Sequence, residues 1–188
     1  MTVVASNFAR KPNDLYETEP WATRVLLRHF PPVRGREIWE PAAGNHAIAD
    51  VLSFEGAEVV TSDVVTYNKK HAFTYDFLAR PDSVPLIGYN CDIITNPPYG
   101  PHNRDAARFA RLALQRTAGW VALLMTAKFD FGSTRYDLFA NNPRFAFKIA
   151  LTDRIQWFPS KMQGTEDHAW YVWGPLYQPP PRLYYGGK

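Results

Sequence analysis

The residues with the clearest chemical potential are Asn96-Pro97-Pro98-Tyr99, which follow an apolar, β-branched run from Asp92 to Thr95. Two successive prolines remove two backbone donors and fix both φ angles, so the carbonyls of this turn are rigid and cannot be drawn into a helix. The side-chain oxygen of Asn96 and the carbonyl of Pro97 are both acceptors. Together they can grip the two hydrogens of a planar amino group whose lone pair is delocalised into its ring. Pulling those hydrogens out of plane localises the lone pair toward an electrophile. Tyr99 offers a ring face for stacking on the group that carries the amine. A double proline alone is an ordinary strand-to-loop turn, whereas the full tetrapeptide after an apolar strand is far more specific.

The elements that must hold this turn can be read from periodicity. Glu19-Pro20 opens a helix, because proline is tolerated at the first helical position, and Trp21, Val25, Leu26 and His29 fall near one face. Pro31-Pro32 ends it. Glu37 to Trp39 is a short strand running into Glu40-Pro41-Ala42-Ala43-Gly44, and Ala47 to Phe54 is a helix closed by Gly56. Glu58 to Thr61 is a second strand ending at Asp63, and residues 71 to 88 are ambiguous. Asp105 to Gln115 is an amphipathic helix, with Phe109, Leu112 and Ala113 inward and Arg104, Arg108 and Arg111 outward. Trp120 to Met125 is a buried strand and Ser133 to Phe139 a helix candidate. Phe145 to Leu151, Ile155 to Phe158 and Ala169 to Trp173 are aromatic-rich strand candidates.

Strands alternating with helices predict an α/β fold built on a mainly parallel sheet covered on both faces. The strand-dense end predicts a closing antiparallel hairpin. Residues 1–13 are expected to be a flexible arm, 14–175 a single domain, and 176–188 an irregular tail. In such folds ligands bind at the carboxyl ends of the strands. Glu40, Asp63 and Asn96 end three successive ones.

The Asn-Pro-Pro-Tyr turn resembles the catalytic motif of S-adenosylmethionine-dependent amino-methyltransferases, above all the small phage and prophage DNA adenine N6-methyltransferases without a separate target-recognition domain. Glu40-Pro41-Ala42-Ala43-Gly44 is similar to the family's cofactor motif, and residues 14–21 resemble its N-terminal cofactor-covering segment. Arg154 to Phe158 and His168 to Trp173 look like its closing strands. The resemblance implies a Rossmann-like class I methyltransferase with a seven-stranded sheet. It also implies roles. Tyr16 and Thr18 would touch the carboxylate end of the cofactor, and Glu40 would orient its amino-acid end. Ala42 and Gly44 would let the backbone approach it. Asp63 would accept from the ribose hydroxyls, and Asp76 from the adenine amino group with Phe77 against the ring. Asn96 and Pro97, with Pro98 behind them, would hold the target amine, and Tyr99 would stack on the flipped base. Many members carry a second glycine where this chain has His46, and a side chain there is expected to narrow the cofactor loop.

The implied partner is DNA, either double-stranded with the base flipped or single-stranded. Its phosphates need cations, for which His102, Arg104, Arg108, Lys128 and Lys161 are candidates, with Arg111 and Lys69-Lys70-His71 beside them. A net charge of +3 suits a polyanion without requiring one. Thr18 can alternatively cap the first helix, and the arginine helix can be an ordinary solvated face. Other readings are an RNA adenine or protein glutamine methyltransferase, or a relative that binds cofactor or DNA without catalysis. The five histidines lack ligand spacing and the single cysteine, Cys91, excludes an internal disulfide and a cysteine-based zinc site. Cys91 reads as a buried thiol. No run approaches the ~18 apolar residues of a membrane span, and no signal region opens the chain, so no membrane association and a cytoplasmic protein are expected.

Overall fold

The computed structural model describes residues 15–79, 87–157, 166–176 and 179–188. Eight strands form one sheet in the order β3-β2-β1-β4-β5-β7-β6-β8. They are β1 (Glu37–Glu40), β2 (Glu58–Asp63), β3 (Phe73–Thr74), β4 (Asp92–Thr95), β5 (Val121–Thr126), β6 (Phe145–Leu151), β7 (His168–Trp173) and β8 (Arg182–Gly186). The five strands from β3 to β5 are mutually parallel. β7 runs antiparallel to both β5 and β6, and β8 runs parallel to β6. Every strand but β7 therefore points the same way, so the ends of β1, β2, β4 and β5 and the start of β7 share one edge.

The buried strands alternate their side chains between two cores. Ile93, Leu123 and Tyr171 face one side, together with Trp39, and pack under helix α3 (Arg104–Arg116). Ile94, Leu124 and Trp170 face the other, with Ile38, and pack under α1 (Pro20–Leu27) and α2 (Ala47–Phe54). Burial on both faces is why β4 and β5 read as unbroken apolar runs. Two half-buried arginines brace the sheet's opposite end. Arg36 pairs with Asp92 at 2.6 Å, and Arg144 donates to the carbonyls of Leu114, Thr117, Gly119 and Gly174. Cys91 is buried, and burial pushes its thiol up to about 12, so it is inert.

The predicted fold class holds, with local corrections. The tail expected to be irregular contains β8, an eighth strand, anchored where Tyr184 stacks on His29 at 4.3 Å. Ile155–Trp157 is not a strand, because the free edge of β6 is taken by β8 and the Gln156 amide donates instead to the Glu19 carboxylate at 2.8 Å. Phe158 lies outside the described residues, as do the 1–13 arm and Asp14. The helix candidate at Ser133 to Phe139 is a 3-10 helix over Ser133–Leu138. Thr18 does not cap α1, whose first position is Pro20 and whose N-cap is Glu19. No helix among the described residues is long and apolar enough to cross a membrane.

Candidate active site

A cavity of about 400 Å³ opens at the carboxyl ends of β1, β2 and β4. That is within the size range of small-molecule pockets. Its walls come from Leu15–Thr18, the loop from Glu40 to Ala47, Asp63, the segment Asp76–Leu78, and the turn at Asn96–Pro101. The sequence-predicted residues Tyr16, Thr18, Glu40, Ala42, Gly44, Asp63, Asp76, Phe77, Asn96 and Pro98 all line it. Pro97 is buried beneath the turn.

The loop between β1 and α2 is held by its own backbone. Gly44 adopts a φ of 50°, and its amide donates to Asp63 Oδ2 at 2.9 Å. Asp63 Oδ1 accepts from the amide of Val64 at 2.7 Å. Both oxygens are thus fixed, and each retains a second lone pair aimed by that fixing. Glu40, 2% exposed, accepts from the Ala49 amide at 2.9 Å near the start of α2. Burial holds its carboxyl well above the ordinary value, and Asp63 and Asp50 push the same way. A buried carboxyl with this shift calls for a cationic partner.

Asn45 ties two walls together. Its Nδ2 donates to Glu17 Oε1 at 2.7 Å, and its Oδ1 accepts from the Asn68 amide at 3.0 Å. His46 does not narrow the loop as expected. It takes a φ of 67°, which explains why glycine suits this place, and its ring turns to His71, Nε2 to Nδ1 at 3.0 Å, outside the cavity lining.

Asn96 is the pivot. Its Nδ2 donates to the Tyr16 carbonyl at 3.2 Å, while its Oδ1 is buried without a hydrogen-bond partner among the described residues. Thr18 Oγ1, also in the wall, is similarly unpartnered there. Two orphaned polar atoms in one cavity are a ligand's counterparts, since buried polar groups are otherwise satisfied. Tyr99 donates to the Leu124 carbonyl at 3.3 Å, and its ring stacks at 6.2 Å on His168 from β7. Trp157 sits edge-on to His168 at 5.1 Å and to Tyr16 at 5.8 Å. The contacts Asn96–Tyr16–Trp157–His168–Tyr99 therefore close around the turn.

Other expectations meet the structure less directly. Asp76 reaches the cavity while its Oδ1 accepts from the Leu78 amide at 2.9 Å, an Asx turn. The Phe77 ring stacks on Phe109 at 4.0 Å, with Arg116 over it at 4.3 Å, so it packs into the core rather than standing free. Arg108 donates to the Leu78 carbonyl and Arg111 is paired with Asp137 at 2.7 Å, so these two arginines brace the protein itself. His102, Arg104 and Lys128 are exposed, on the segments that follow the Asn96–Tyr99 turn and β5. Lys161 lies outside the described residues. Among the described residues no three histidine, cysteine or acidic side chains are grouped to hold a metal. Sequence reasoning missed His168 and Trp157 as neighbours of the turn. The signal for them is weak, since both read as core aromatics of the closing strands.

No protein-family model and no curated protein matches the sequence. Solved structures do match in fold. A provisionally assigned RNA methyltransferase from Pyrococcus horikoshii superposes with a TM-score of 0.64 at 15% identity, over 87% of this chain and 89% of that one. A provisionally assigned class I S-adenosylmethionine-dependent methyltransferase from Listeria monocytogenes gives 0.60 at 15% identity, over 88% and 62%. The modification subunit of a provisionally assigned type I restriction enzyme from Vibrio vulnificus gives 0.63 at 11% identity, over 92% and 47%. The chain thus spans most of the first of these proteins, and about three fifths and half of the other two. Its fold is that of the class I methyltransferases.

Proposed function

We propose that the chain binds S-adenosylmethionine in this cavity and transfers its methyl group to the exocyclic amino nitrogen of adenine in DNA. The observation that carries the reading is the open Oδ1 of Asn96 on the Asn-Pro-Pro-Tyr turn, at the rim of a cofactor-sized cavity walled by Glu40, Asp63 and Gly44. The fit of the residues to the cofactor is chemical. Glu40 suits a cationic amino-acid end, the fixed Asp63 carboxylate suits ribose hydroxyls, Thr18 Oγ1 suits a carboxylate, and Asp76 suits an adenine amino group. When bound, the cofactor supplies an electrophilic methyl group on a sulfonium.

The chain's own residues do the rest by positioning. Asn96 Oδ1 and the Pro97 carbonyl accept the two hydrogens of the target amine and turn its lone pair toward the cavity. The Tyr16 carbonyl keeps the Asn96 amide from flipping, so that its oxygen faces the amine. Tyr99, anchored by its hydroxyl to Leu124, gives the base a fixed plane. The methylated nitrogen is acidic enough to lose its proton to water, so no general base is required. The likeness in fold to a restriction-enzyme modification subunit is in keeping with DNA as the target, and the likeness to an RNA methyltransferase makes RNA the alternative that the test separates.

The test is transfer from labelled S-adenosylmethionine to DNA, RNA and ribosomal protein in parallel, with Asn96→Ala as control. Label in DNA adenine that disappears in the variant is expected. Label confined to RNA or to protein glutamine would overturn the substrate, and no binding of the cofactor by calorimetry would overturn the activity.

A further inference from the structure

Beside the catalytic turn, two surface loops are fastened into one ledge. Asn103, between His102 and Arg104, donates through Nδ2 to Thr126 Oγ1 at the end of β5, 3.3 Å away. β5 is the sheet neighbour of β4, which carries Asn96. The chain then leaves β5 in tight turns. The Phe129 amide donates to the Thr126 carbonyl at 3.0 Å, and the Phe131 amide to the Lys128 carbonyl at 3.1 Å. Lys128 and Phe131 are thus the two ends of one four-residue turn, with Cα atoms within about 7 Å.

Phe131 is 79% exposed, one of five exposed aromatic rings among the described residues. The Lys148 ammonium lies 5.7 Å from its ring centre and ties the turn down by pairing with Asp130 at 2.9 Å. The charges around this ring are lopsided. Asp130 is neutralised by Lys148, and Asp167 by Arg154 at 2.8 Å. Asp105 abuts Gly100, and Glu166 is the remaining exposed acid near the start of β7. Arg104 and Lys128 have no ion pair among the described residues, so the ledge carries two unspent cations beside an open aromatic face. That combination is what a single nucleic-acid strand requires: cations for its backbone and a ring for an unpaired base. A base inside a duplex has both faces covered and cannot use such a ring.

We propose that this ledge clamps single-stranded nucleic acid next to the target nucleotide, with Phe131 stacking on a flanking base and Lys128 and Arg104 holding phosphates on either side. The identity of the target nucleotide rests on the function proposed above; the binding of a strand does not.

The experiment measures anisotropy of labelled single-stranded and duplex DNA of about ten base positions, with the full chain and its Phe131→Ala, Phe131→Trp and Lys128→Ala variants. Thermal unfolding of each variant verifies that these surface changes leave the fold intact. The single strand is expected to bind more tightly than the duplex. Phe131→Ala should weaken it roughly tenfold with an unchanged salt slope, and Phe131→Trp should restore it. Lys128→Ala should weaken binding and lower the salt slope by about one ion. Equal affinity for duplex, or indifference of strand binding to Phe131→Ala, overturns the clamp. Methyl transfer whose KM ignores Phe131 overturns the clamp and leaves the catalytic reading standing. Strand binding that depends on Phe131 without any methyl transfer supports the clamp and sinks the catalytic reading.

Discussion

The Asn96 side chain donates to the main-chain carbonyl of Tyr16 across eighty residues of sequence, and this contact decides which way its amide faces. An asparagine has one acceptor and one donor end, and only the acceptor end can accept a hydrogen bond from an amine. Under the proposed function, the segment that walls the cavity therefore also sets the group that holds the amine. Asn96→Asp separates the two requirements, because it keeps an acceptor and removes the donor to Tyr16. Its kcat should fall on the order of 10²-fold, as for loss of one positioned hydrogen bond in a transition state. Cofactor affinity should weaken a few-fold as the Leu15–Thr18 wall loosens, read by single-turnover transfer and calorimetry. A rate near wild type would mean that the acceptor suffices and that the Tyr16 contact is idle.

The loop after β1 contains two left-handed residues with opposite expected sensitivities. A Cβ on Gly44 would lie 2.8 Å from Leu15 Cδ1, at a φ of 50°. Gly44→Ala should cost about 1 to 2 kcal/mol of stability through the backbone alone. It should also weaken cofactor binding about tenfold by displacing Leu15 from the wall. His46→Gly relieves similar strain but gives up the bond to His71, so stability should change little and cofactor binding not at all. Titration calorimetry of both variants checks this. A large loss of affinity in His46→Gly would mean that the imidazole faces the ligand after all.

Much of this site was legible because its chemistry sits where strands end. Glu40, Asp63 and Asn96 each close a run of β-branched or aromatic residues, and a parallel sheet brings such ends together. The partners of Arg108 and Arg111 were not legible, because periodicity gives a face but not its neighbours. Nothing local announces that Arg111 meets Asp137 or that Arg108 meets the Leu78 carbonyl. His46 was misjudged for a similar reason, since spacing shows that a side chain is present but not where its ring turns. β8 was hidden by Pro179-Pro180-Pro181, which mark a loop correctly yet say nothing of the edge of β6 that the chain joins beyond it. Phe131 was not legible: in the Lys-Phe-Asp-Phe stretch the two rings are two residues apart, which in a strand would put both on one face, whereas the turns after β5 bury Phe129 and expose Phe131.

Glu40 links stability to protons. Burial raises its folded-state pKa above the unfolded value. Its contribution to stability is therefore fully present below the ordinary carboxylate range and is lost as pH rises through the raised value. Glu40→Gln keeps an acceptor for the Ala49 amide and removes this dependence. The variant should match wild type near pH 4.5 and gain relative stability toward pH 8, seen in urea unfolding. Under the proposed function, a cationic ligand group would favour the carboxylate. Wild type should then release part of a proton on binding, measured by calorimetry in buffers of different ionisation heat, and Glu40→Gln should release none. Parallel stability curves for the two proteins would refute the linkage.

His168 should impose the opposite slope. It is 3% exposed behind Tyr99, and burial lowers its imidazole to about 4 from an ordinary 6.5. The unfolded chain takes up a proton that the folded chain refuses. Stability from this residue is thus complete above pH 6.5 and is lost as pH falls through about 4, a change on the order of 3 kcal/mol at most. His168→Phe keeps a ring between Tyr99 and Trp157 and cannot titrate. Between pH 6.5 and 4 the wild type should lose stability relative to the variant, whereas Glu40 shifts both proteins equally and cancels in the difference. Urea unfolding of both at pH 7, 5.5 and 4.5 supplies that difference. A difference that stays flat across this range would show that the buried imidazole takes up its proton without opening the fold.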